Sequence, residues 1–240
     1  MKLFKSIQSK DITVAQKTYL TVKRNIIEGS LLPGDMLSEI KIREMFEISR
    51  TVSREVLIKL SKENLVTIIP QKGTYVSKIN LKEVYNYLFL RKTVENKVLN
   101  LSIESIDQIF LDKLLENLRQ QEYLLKRDDN SFELIKCDNN FHKIIYESVD
   151  KEYVWKMLEP YQIQYDRLRI IALKGNLTQN KMYNHHIEIY NMISKKIKSS
   201  TIEILRLHLG DSRNLYNNII KNNLNYFIEV DLFMNKSELC

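Results

Sequence analysis

The sequence has few of the residues that crosslink a chain, and it has no long apolar run. Only two of its 240 residues are cysteines, Cys137 and Cys240, which excludes a disulfide framework and is typical of a reducing compartment. No stretch approaches the roughly 20 apolar residues needed to span a bilayer, and the first residues lack the apolar run of a signal peptide. We therefore expect a cytoplasmic protein without a membrane partner.

Glycine and proline are scarce and unevenly placed. Three of the five glycines and two of the three prolines lie before residue 79. Charge is uneven as well, because residues 1–78 hold 14 Lys and Arg against 8 Asp and Glu, whereas the remainder holds 23 against 22. We predict a small, turn-rich domain over 1–78 and a helical domain over 79–240. The cationic excess favours nucleic acid, or an anionic membrane surface, as the partner of the first domain.

Capping residues and apolar spacing predict three helices in the first domain. Val14 to Glu28 has helical spacing and is stopped by Gly29. Ser38 and Ser49 can each cap a further short helix. Only two residues separate the second helix from Ser49, which is the tight connection of a helix-turn-helix.

The third helix presents a cationic face. Its expected buried face consists of three apolar residues: Val52, Val56 and Leu60. Arg50 and Arg54 are four residues apart and share the opposite face. Two guanidinium groups near a helix N-terminus can bond guanine edges or clamp phosphates, and Thr51 and Ser53 add short donors.

A predicted hairpin follows this helix. The segments "LVTII" and "TYVSK" have strand composition, and "PQKG" between them places Lys72 and Gly73 at the tip. A helix-turn-helix followed by such a hairpin is a winged helix, whose basic tip can lie over phosphates or enter the minor groove. The alternative is a solvated cationic face on an ordinary three-helix module.

Together these residues resemble the GntR family of bacterial transcription regulators. The family pattern is matched by Pro33-Gly34, by Leu37-Ser38-Glu39, by "SRTVSREVL" over residues 49–57, by Asn64-Leu65-Val66 and by "KGTYV" over residues 72–76. Val52 and Ser53 replace the usual Pro-Val, and Asn64 replaces the usual glycine. The resemblance implies DNA contacts by Arg50, Thr51, Arg54, Lys72 and Gly73.

Residues 81–223 divide into six helical segments, with no sustained two-residue alternation. The predicted ranges are 81–100, 104–126, 130–149, 152–174, 178–198 and 200–223. This pattern is typical of an all-helical bundle. The expected fold class is therefore mainly α, with an N-terminal winged helix-turn-helix, a small β-hairpin wing and a C-terminal helical bundle.

Polar residues interrupt the apolar stripes of this bundle. Arg91 and Glu95 lie on the inward stripe of the first segment, and single inward histidines occur on the fifth and sixth segments. Asp138 and His142 are one turn apart on the third segment. Burying such groups without partners costs several kcal/mol, so a polar cavity is implied. Four candidate ligands result, Asp138, His142, His186 and His208, and this set suits Zn²⁺, Ni²⁺ or Mn²⁺.

The same arrangement resembles the FCD ligand-binding domain of one branch of the GntR family, in its FadR-like or VanR-like form. The matching residues are Asp138-x₃-His142, His186 followed by isoleucines, and "LRLHL" with His208. The resemblance implies that the metal and Arg91, preceding Glu95, hold the carboxylate of a small organic acid. The alternative for Arg91 is a buried structural ion pair with Glu95.

These features favour a DNA-binding transcriptional regulator, expected to be a homodimeric repressor. Its operator affinity would be controlled by a small carboxylate effector at the metal site. Two alternatives stay open: a helical domain that serves only dimerisation, and a metal-dependent enzyme. The sequence contains no P-loop, no HExxH and no nucleophile elbow, so we expect no enzymatic activity.

Overall fold

The computed structural model describes residues 12–127, 130–174, 179–210 and 213–231. The chain forms two compact units. Of the described residues, the first contains residues 12–80 together with Asn223–Ile228, and the second contains those between Leu81 and Asn222 and residues 229–231. The expected fold class, mainly α with a small β-hairpin, is confirmed.

The first unit is a winged helix-turn-helix. Its elements are α1 (Val14–Ile27), α2 (Glu39–Phe46), α3 (Arg50–Lys62), β1 (Val66–Ile69) and β2 (Gly73–Val76). Ser38 and Ser49 cap α2 and α3 as predicted, because each hydroxyl accepts a hydrogen bond from a backbone N–H in the first turn. Strands β1 and β2 pair antiparallel over four residues each and form the wing.

The buried face of α3 differs from the predicted one by a small rotation. Val52 is only half-buried, whereas Ser53 is 0% exposed and belongs to the face that continues through Val56 and Leu60. The prediction that Val52 leads this face was therefore wrong. Position 53 precedes Val56 and Leu60 by three and seven residues, and position 52 precedes them by four and eight. Both sets of spacings place the residues on one helical face, so spacing alone does not decide which position is buried.

A short segment from the end of the chain completes the first unit. Strand β3 (Ile79–Asn80) pairs in parallel with β4 (Phe227–Ile228), with Ile79 opposite Phe227. Both of these apolar side chains are buried. The sequence had left the place of the residues after Asn223 open, and this pairing assigns Phe227 to the first unit.

All regular secondary structure in the described part of the second unit is helical. Its helices are α4 (Leu81–Glu104), α5 (Gln108–Leu125), α6 (Ser131–Glu147), α7 (Glu152–Leu173), α8 (Gln179–Ser194), α9 (Thr201–Gly210) and α10 (Arg213–Asn222). The predicted segment 200–223 is thus described as two helices, one on either side of residues 211 and 212. In the described ranges, no helix has the length and hydrophobicity required to cross a bilayer.

Helix packing brings the predicted polar stripes together. Helix α4 packs against α7 and α9, α5 packs against α6 and α8, and α6 also packs against α7. Five polar residues are 0% exposed, as their inward positions predicted: Arg91, Glu95, Asp138, His142 and His186. His208 on α9 is 9% exposed. The interior of this unit therefore contains a concentrated group of ionisable side chains.

Candidate functional site

The first candidate site is the exposed face at the start of α3. Arg50, Thr51 and Arg54 are all exposed there, as expected for DNA contacts. The Arg50 Nε lies 3.4 Å from Glu39 Oε1, and the Arg50 side chain remains 69% exposed. Exposed ion pairs of this kind contribute little free energy, so the guanidinium is available to a phosphate or a base edge.

Ser53 does not share this exposure. Its hydroxyl donates to the Arg50 backbone carbonyl at 2.9 Å, and the residue is 0% exposed. The structure therefore contradicts the expectation that Ser53 offers a donor to DNA.

The wing tip places Lys72 in an exposed position between β1 and β2. The turn needs a left-handed backbone twice, at Gln71 with φ 61° and at Gly73 with φ 128°. A Cβ on Gly73 would lie 3.0 Å from Met36 Cε, the end of an exposed and flexible side chain, so it is the positive φ that favours glycine there. The sequence-predicted tip residues thus lie together at the end of the hairpin.

The second candidate site is a cluster of four buried groups in the second unit. His142 Nε2 lies 2.9 Å from His208 Nε2 and 3.3 Å from His186 Nε2. Asp138 Oδ1 lies 3.3 Å from His186 Nε2, 3.6 Å from His208 Nε2 and 4.0 Å from His142 Nε2. The four residues predicted as metal ligands from α6, α8 and α9 therefore converge on one point.

A chain of amide hydrogen bonds fixes the tautomer of His186. The Cys137 backbone carbonyl can only accept, so it takes a hydrogen bond from Asn117 Nδ2 at 3.1 Å. Asn117 Oδ1 accepts from Gln121 Nε2 at 2.6 Å, which leaves Gln121 Oε1 to accept from His186 Nδ1–H at 2.7 Å. His186 Nε2 then carries a lone pair directed into the cluster.

Glu95 orients His142 in the same way. One Glu95 oxygen accepts a hydrogen bond from His142 Nδ1–H, and the other accepts from Arg91 Nε at 2.9 Å. Both oxygens of Glu95 are thereby occupied, while the Nη1 and Nη2 atoms of Arg91 have no partner among the described residues. The ion pair between Arg91 and Glu95, predicted as the structural alternative for Arg91, is present. It leaves two buried nitrogens of Arg91, Nη1 and Nη2, available as donors.

The sequence did not single out Arg169, which holds the remaining oxygen of Asp138. Arg169 Nη1 donates to Asp138 Oδ2, and Nη2 donates to Asn139 Oδ1 and to Asp166 Oδ1, each at 2.6 Å. Asp166 and Arg169 are three residues apart on α7, and Asn117 and Gln121 are four apart on α5. The spacing that identified Arg91 and Glu95 could have found both pairs.

The pKa values of these groups suit metal binding. Burial lowers the pKa of His142 to about 4, although the charge of Glu95 acts to raise it. Burial also lowers the pKa of His208 well below its ordinary value. Burial acts to raise the pKa of Asp138, but the charge of Arg169 together with the contacts from His186 and His142 outweighs burial and holds that pKa well below its usual range. His142 and His208 are therefore neutral and the Asp138 carboxylate is ionised at neutral pH, as a metal site requires.

The geometry of the cluster fits a divalent transition metal. Asp138 Oδ1 is buried and has no hydrogen-bond partner within the described ranges, and it faces imidazole nitrogens. The ligand separations given above, 2.9–4.0 Å, are compatible with bonds of about 2.0–2.2 Å to one ion. The lone pairs of His142 Nε2 and His186 Nε2 face each other at 3.3 Å, and a shared cation would remove their repulsion. The group Asp138, His142, His186 and His208 could hold that cation.

A small cavity adjoins the cluster. Asp138 and His208 line it together with Arg169, Lys181 and His185, and its volume is about 30 Å³. One water needs about 10–15 Å³ on this measure, so the cavity as it stands holds water rather than an organic acid. His185 contributes to this wall but is not one of the four convergent ligands.

Comparison with known proteins identifies the family. Residues 14–76 match the family of bacterial regulatory proteins named gntR, and residues 86–211, more than half of the chain, match the FCD domain. The chain belongs to the GntR family. This GntR-family regulator is therefore a DNA-binding transcriptional regulator with an FCD domain, and not an enzyme. FCD domains bind metals, and the Asp/His cluster lies within the matched residues.

Relatives of known name and structure cover nearly the whole regulator. The HTH-type transcriptional repressor RspR of Escherichia coli K12 is 29% identical over 218 residues, which cover 90% of this chain and 94% of RspR. A GntR protein from Rhodococcus sp. RHA1 has a TM-score of 0.70 at 19% identity, covering 86% of this chain and 97% of that one. E. coli McbR/YncC has a TM-score of 0.67 at 18% identity, covering 86% and 98%. The two structures support the fold alone.

Proposed function

We propose that this regulator is a homodimeric repressor whose operator affinity is controlled by a small organic acid bound at a metal site. In this proposal residues 1–78 bind the operator, and residues 79–240 bind the metal and the acid and form the dimer. The protein would act in the cytoplasm, where its operator is. The similarity to RspR, which is named a repressor, supports the direction of control.

The convergence of three imidazole nitrogens and one carboxylate oxygen carries the proposal. Each hydrogen bond that fixes the His142 and His186 rings leaves Nε2 as the ligand atom. Outer contacts of this kind are typical of built metal sites. We propose Asp138, His142, His186 and His208 as the ligands of Zn²⁺, Ni²⁺ or Mn²⁺, which when bound would supply a Lewis acid to a carboxylate oxygen.

Arg91 supports the choice of an organic acid. Its guanidinium is 0% exposed, and two of its nitrogens have no partner in the described part of the chain. A buried cation with free donors is suited to bidentate binding of a carboxylate. Glu95 would act through Arg91 and His142 by holding both in place. The cavity of about 30 Å³ beside Asp138 and His208 is not lined by Arg91, so the acid would reach both the metal and Arg91 only after side chains such as Met182 have moved.

The dimer would use an apolar stripe on α7. Tyr153, Met157 and Tyr161 recur every four residues and are 62–68% exposed. Phe89 and Leu90 on the neighbouring helix α4 are also exposed. Clusters of exposed apolar side chains are candidates for interaction sites, and a two-fold dimer presents two recognition helices to the two halves of a pseudo-palindromic operator.

The operator prediction is tested with DNA selected from a random duplex pool by the wild-type protein. Arg54→Ala is expected to weaken binding of the selected duplex by about 5–150-fold, because a base-edge or phosphate contact of about 1–3 kcal/mol is lost. Gel-shift titration at fixed salt measures the change. Arg119→Ala is the matched control, since Arg119 is an exposed arginine on α5 with a side chain 67% exposed. Equal affinity of the Arg54 and Arg119 variants would contradict the proposal.

The sensor prediction uses metal analysis of the purified protein followed by thermal shift against dicarboxylates and sugar acids. One equivalent of metal is expected, and a stabilising acid should change operator affinity by about 5–150-fold. Metal well below one equivalent would remove the metal assignment. Full metal occupancy with no acid that changes operator affinity would favour the alternative of a structural dimerisation domain.

A further inference from the structure

Three of the four proposed metal ligands each have a hydrogen-bond partner outside the cluster. The pairs are Asp138 with Arg169, His142 with Glu95, and His186 with Gln121. His208 is the exception, because its Nδ1 is buried and has no hydrogen-bond partner among the residues that the structure describes. Outer partners fix the orientation and the tautomer of a histidine ligand. The ring of His208 therefore lacks the support that the other three ligands have.

His208 also lies at the edge of the cluster. It is 9% exposed and lines the cavity of about 30 Å³, whereas His142 and His186 are 0% exposed and are not among the residues that line this cavity. Its position is in the last turn of α9, a helix of 10 residues, whereas the other ligands lie inside the longer helices α6 and α8. Helix ends open at a lower free energy than helix interiors, so His208 is the ligand that moves at least cost.

The hydrogen bonds of the cluster give His208 the opposite tautomer to His142 when no metal is bound. Glu95 accepts a hydrogen bond from His142 Nδ1–H, so His142 Nε2 carries a lone pair. His208 Nε2 lies 2.9 Å from that atom, and a hydrogen bond between two nitrogens needs one proton. The proton belongs to His208 Nε2, which donates it to His142. His208 Nδ1 is then a lone pair, which agrees with the lack of an acceptor for it in the described ranges.

Coordination through His208 Nε2 requires this arrangement to change. A nitrogen that carries a proton cannot be a metal ligand, so His208 must give up its hydrogen bond to His142 and carry its proton on Nδ1. The imidazole stays neutral, because the N–H bond that breaks at Nε2 is replaced by one at Nδ1, with the proton exchanged through water. Asp138, His142 and His186 already present lone pairs and need no such change.

We propose that Asp138, His142 and His186 form a preformed three-ligand site, and that His208 is an adjustable fourth ligand through which metal binding orders the last turn of α9. The inference rests on the proposed metal site and adds which ligand responds to the metal. Three protein ligands with one further position form a recurrent arrangement of zinc sites. In the metal-free protein the fourth position is closed by the hydrogen bond from His208 to His142.

The first test is nitrogen NMR of the full-length protein with ¹⁵N-labelled histidine at neutral pH, before and after one equivalent of Zn²⁺. The four histidines are assigned with single variants. In the metal-free protein His142 and His186 are expected to be protonated on Nδ1 and His208 on Nε2. After Zn²⁺ is added, all three should be protonated on Nδ1. A metal-free protein with His208 protonated on Nδ1 would overturn the proposal.

The second test measures Zn²⁺ affinity by competition with a fluorescent chelator. His186→Ala should lose at least about tenfold more affinity than His208→Ala, because an outer partner contributes about 10–100-fold to the affinity of a histidine site. His185→Ala is the control, since it removes a histidine that lines the same cavity but is not one of the four ligands, and it should bind within about threefold of the wild type. Equal losses in the His186 and His208 variants would contradict the proposal.

Hydrogen exchange then tests the response of α9. With Zn²⁺ well above its dissociation constant, exchange in the last turn of α9 should slow at least about tenfold in the wild type and stay unchanged in His208→Ala. Exchange that Zn²⁺ leaves unaltered in the wild-type α9 would refute the role of His208. A wild-type protein that binds no Zn²⁺ would end the proposed metal site as well, whereas Zn²⁺ binding without the α9 response would end only the inference about His208.

Discussion

Gln121→Leu tests whether the hydrogen-bond chain behind His186 controls metal affinity. In the wild type, Gln121 Oε1 accepts from His186 Nδ1–H at 2.7 Å and so commits Nε2 to the metal cluster. Leucine removes this acceptor and leaves Asn117 Oδ1 without the donor that Gln121 Nε2 supplies at 2.6 Å. The His186 ring is then free to adopt the other tautomer or to rotate away from Asp138.

The expected loss of metal affinity is about 10–100-fold, or about 1.4–2.8 kcal/mol, which is typical when an outer partner of a histidine ligand is removed. Leaving the buried Asn117 acceptor unpaired should also lower the free energy of unfolding by about 1–3 kcal/mol. Competition with a fluorescent Zn²⁺ chelator measures the affinity, and urea unfolding of the metal-free protein measures the stability. Measuring both separates loss of the ligand orientation from loss of the fold.

Gln120→Leu is the matched control, because it makes the same change one position earlier on the exposed face of α5. Its metal affinity and stability should equal those of the wild type within about 0.5 kcal/mol. A Gln121→Leu protein with wild-type Zn²⁺ affinity would refute the reasoning, since the His186 tautomer would then not depend on the amide chain.

Two further predictions concern stability and assembly. In the metal-free folded protein the pKa of His142 is about 4, whereas in the unfolded chain a histidine has a pKa near 6.5. The unfolded state therefore binds more protons between these values, and the free energy of unfolding should fall by up to about 3 kcal/mol as the pH is lowered from 6.5 to 4. Urea unfolding across this range measures the slope, and a slope that His142→Gln does not reduce would contradict the assignment. Met157→Asp on α7 should convert the dimer to a monomer in light scattering, because a carboxylate would be buried in the interface. The control is Tyr123→Asp on α5, where the wild-type tyrosine is 61% exposed, and this variant should remain a dimer. A Met157→Asp protein that is still dimeric would show that the α7 stripe is not the dimer interface.

Local chemistry made much of the fold predictable. Ser38 and Ser49 begin helices because a hydroxyl can satisfy a free backbone N–H three residues later, and Gly73 marks the wing turn because its φ is positive. The inward placement of Asp138 and His142 follows from the helical period alone. These interactions join residues close in sequence, so their signals survive without any knowledge of tertiary packing.

Other features depend on which helices pack together. Gln121 meets His186 across 65 residues of sequence, and Arg169 meets Asp138 across 31. The sequence contained these polar residues at helical spacing, but it could not pair them, because partners on different helices are chosen by how the helix surfaces interlock. The rotation of α3 that buries Ser53 was decided in the same way.

The sequence by itself determined the helices, the wing and the inward direction of the ionisable residues, since each depends on contacts within a few residues. Only the tertiary structure decided that four ligand atoms converge, that Arg169 and Gln121 hold two of them, and that Phe227 pairs with Ile79. Those arrangements arise because buried polar groups and exposed strand edges must find partners, wherever the packing of distant segments supplies them.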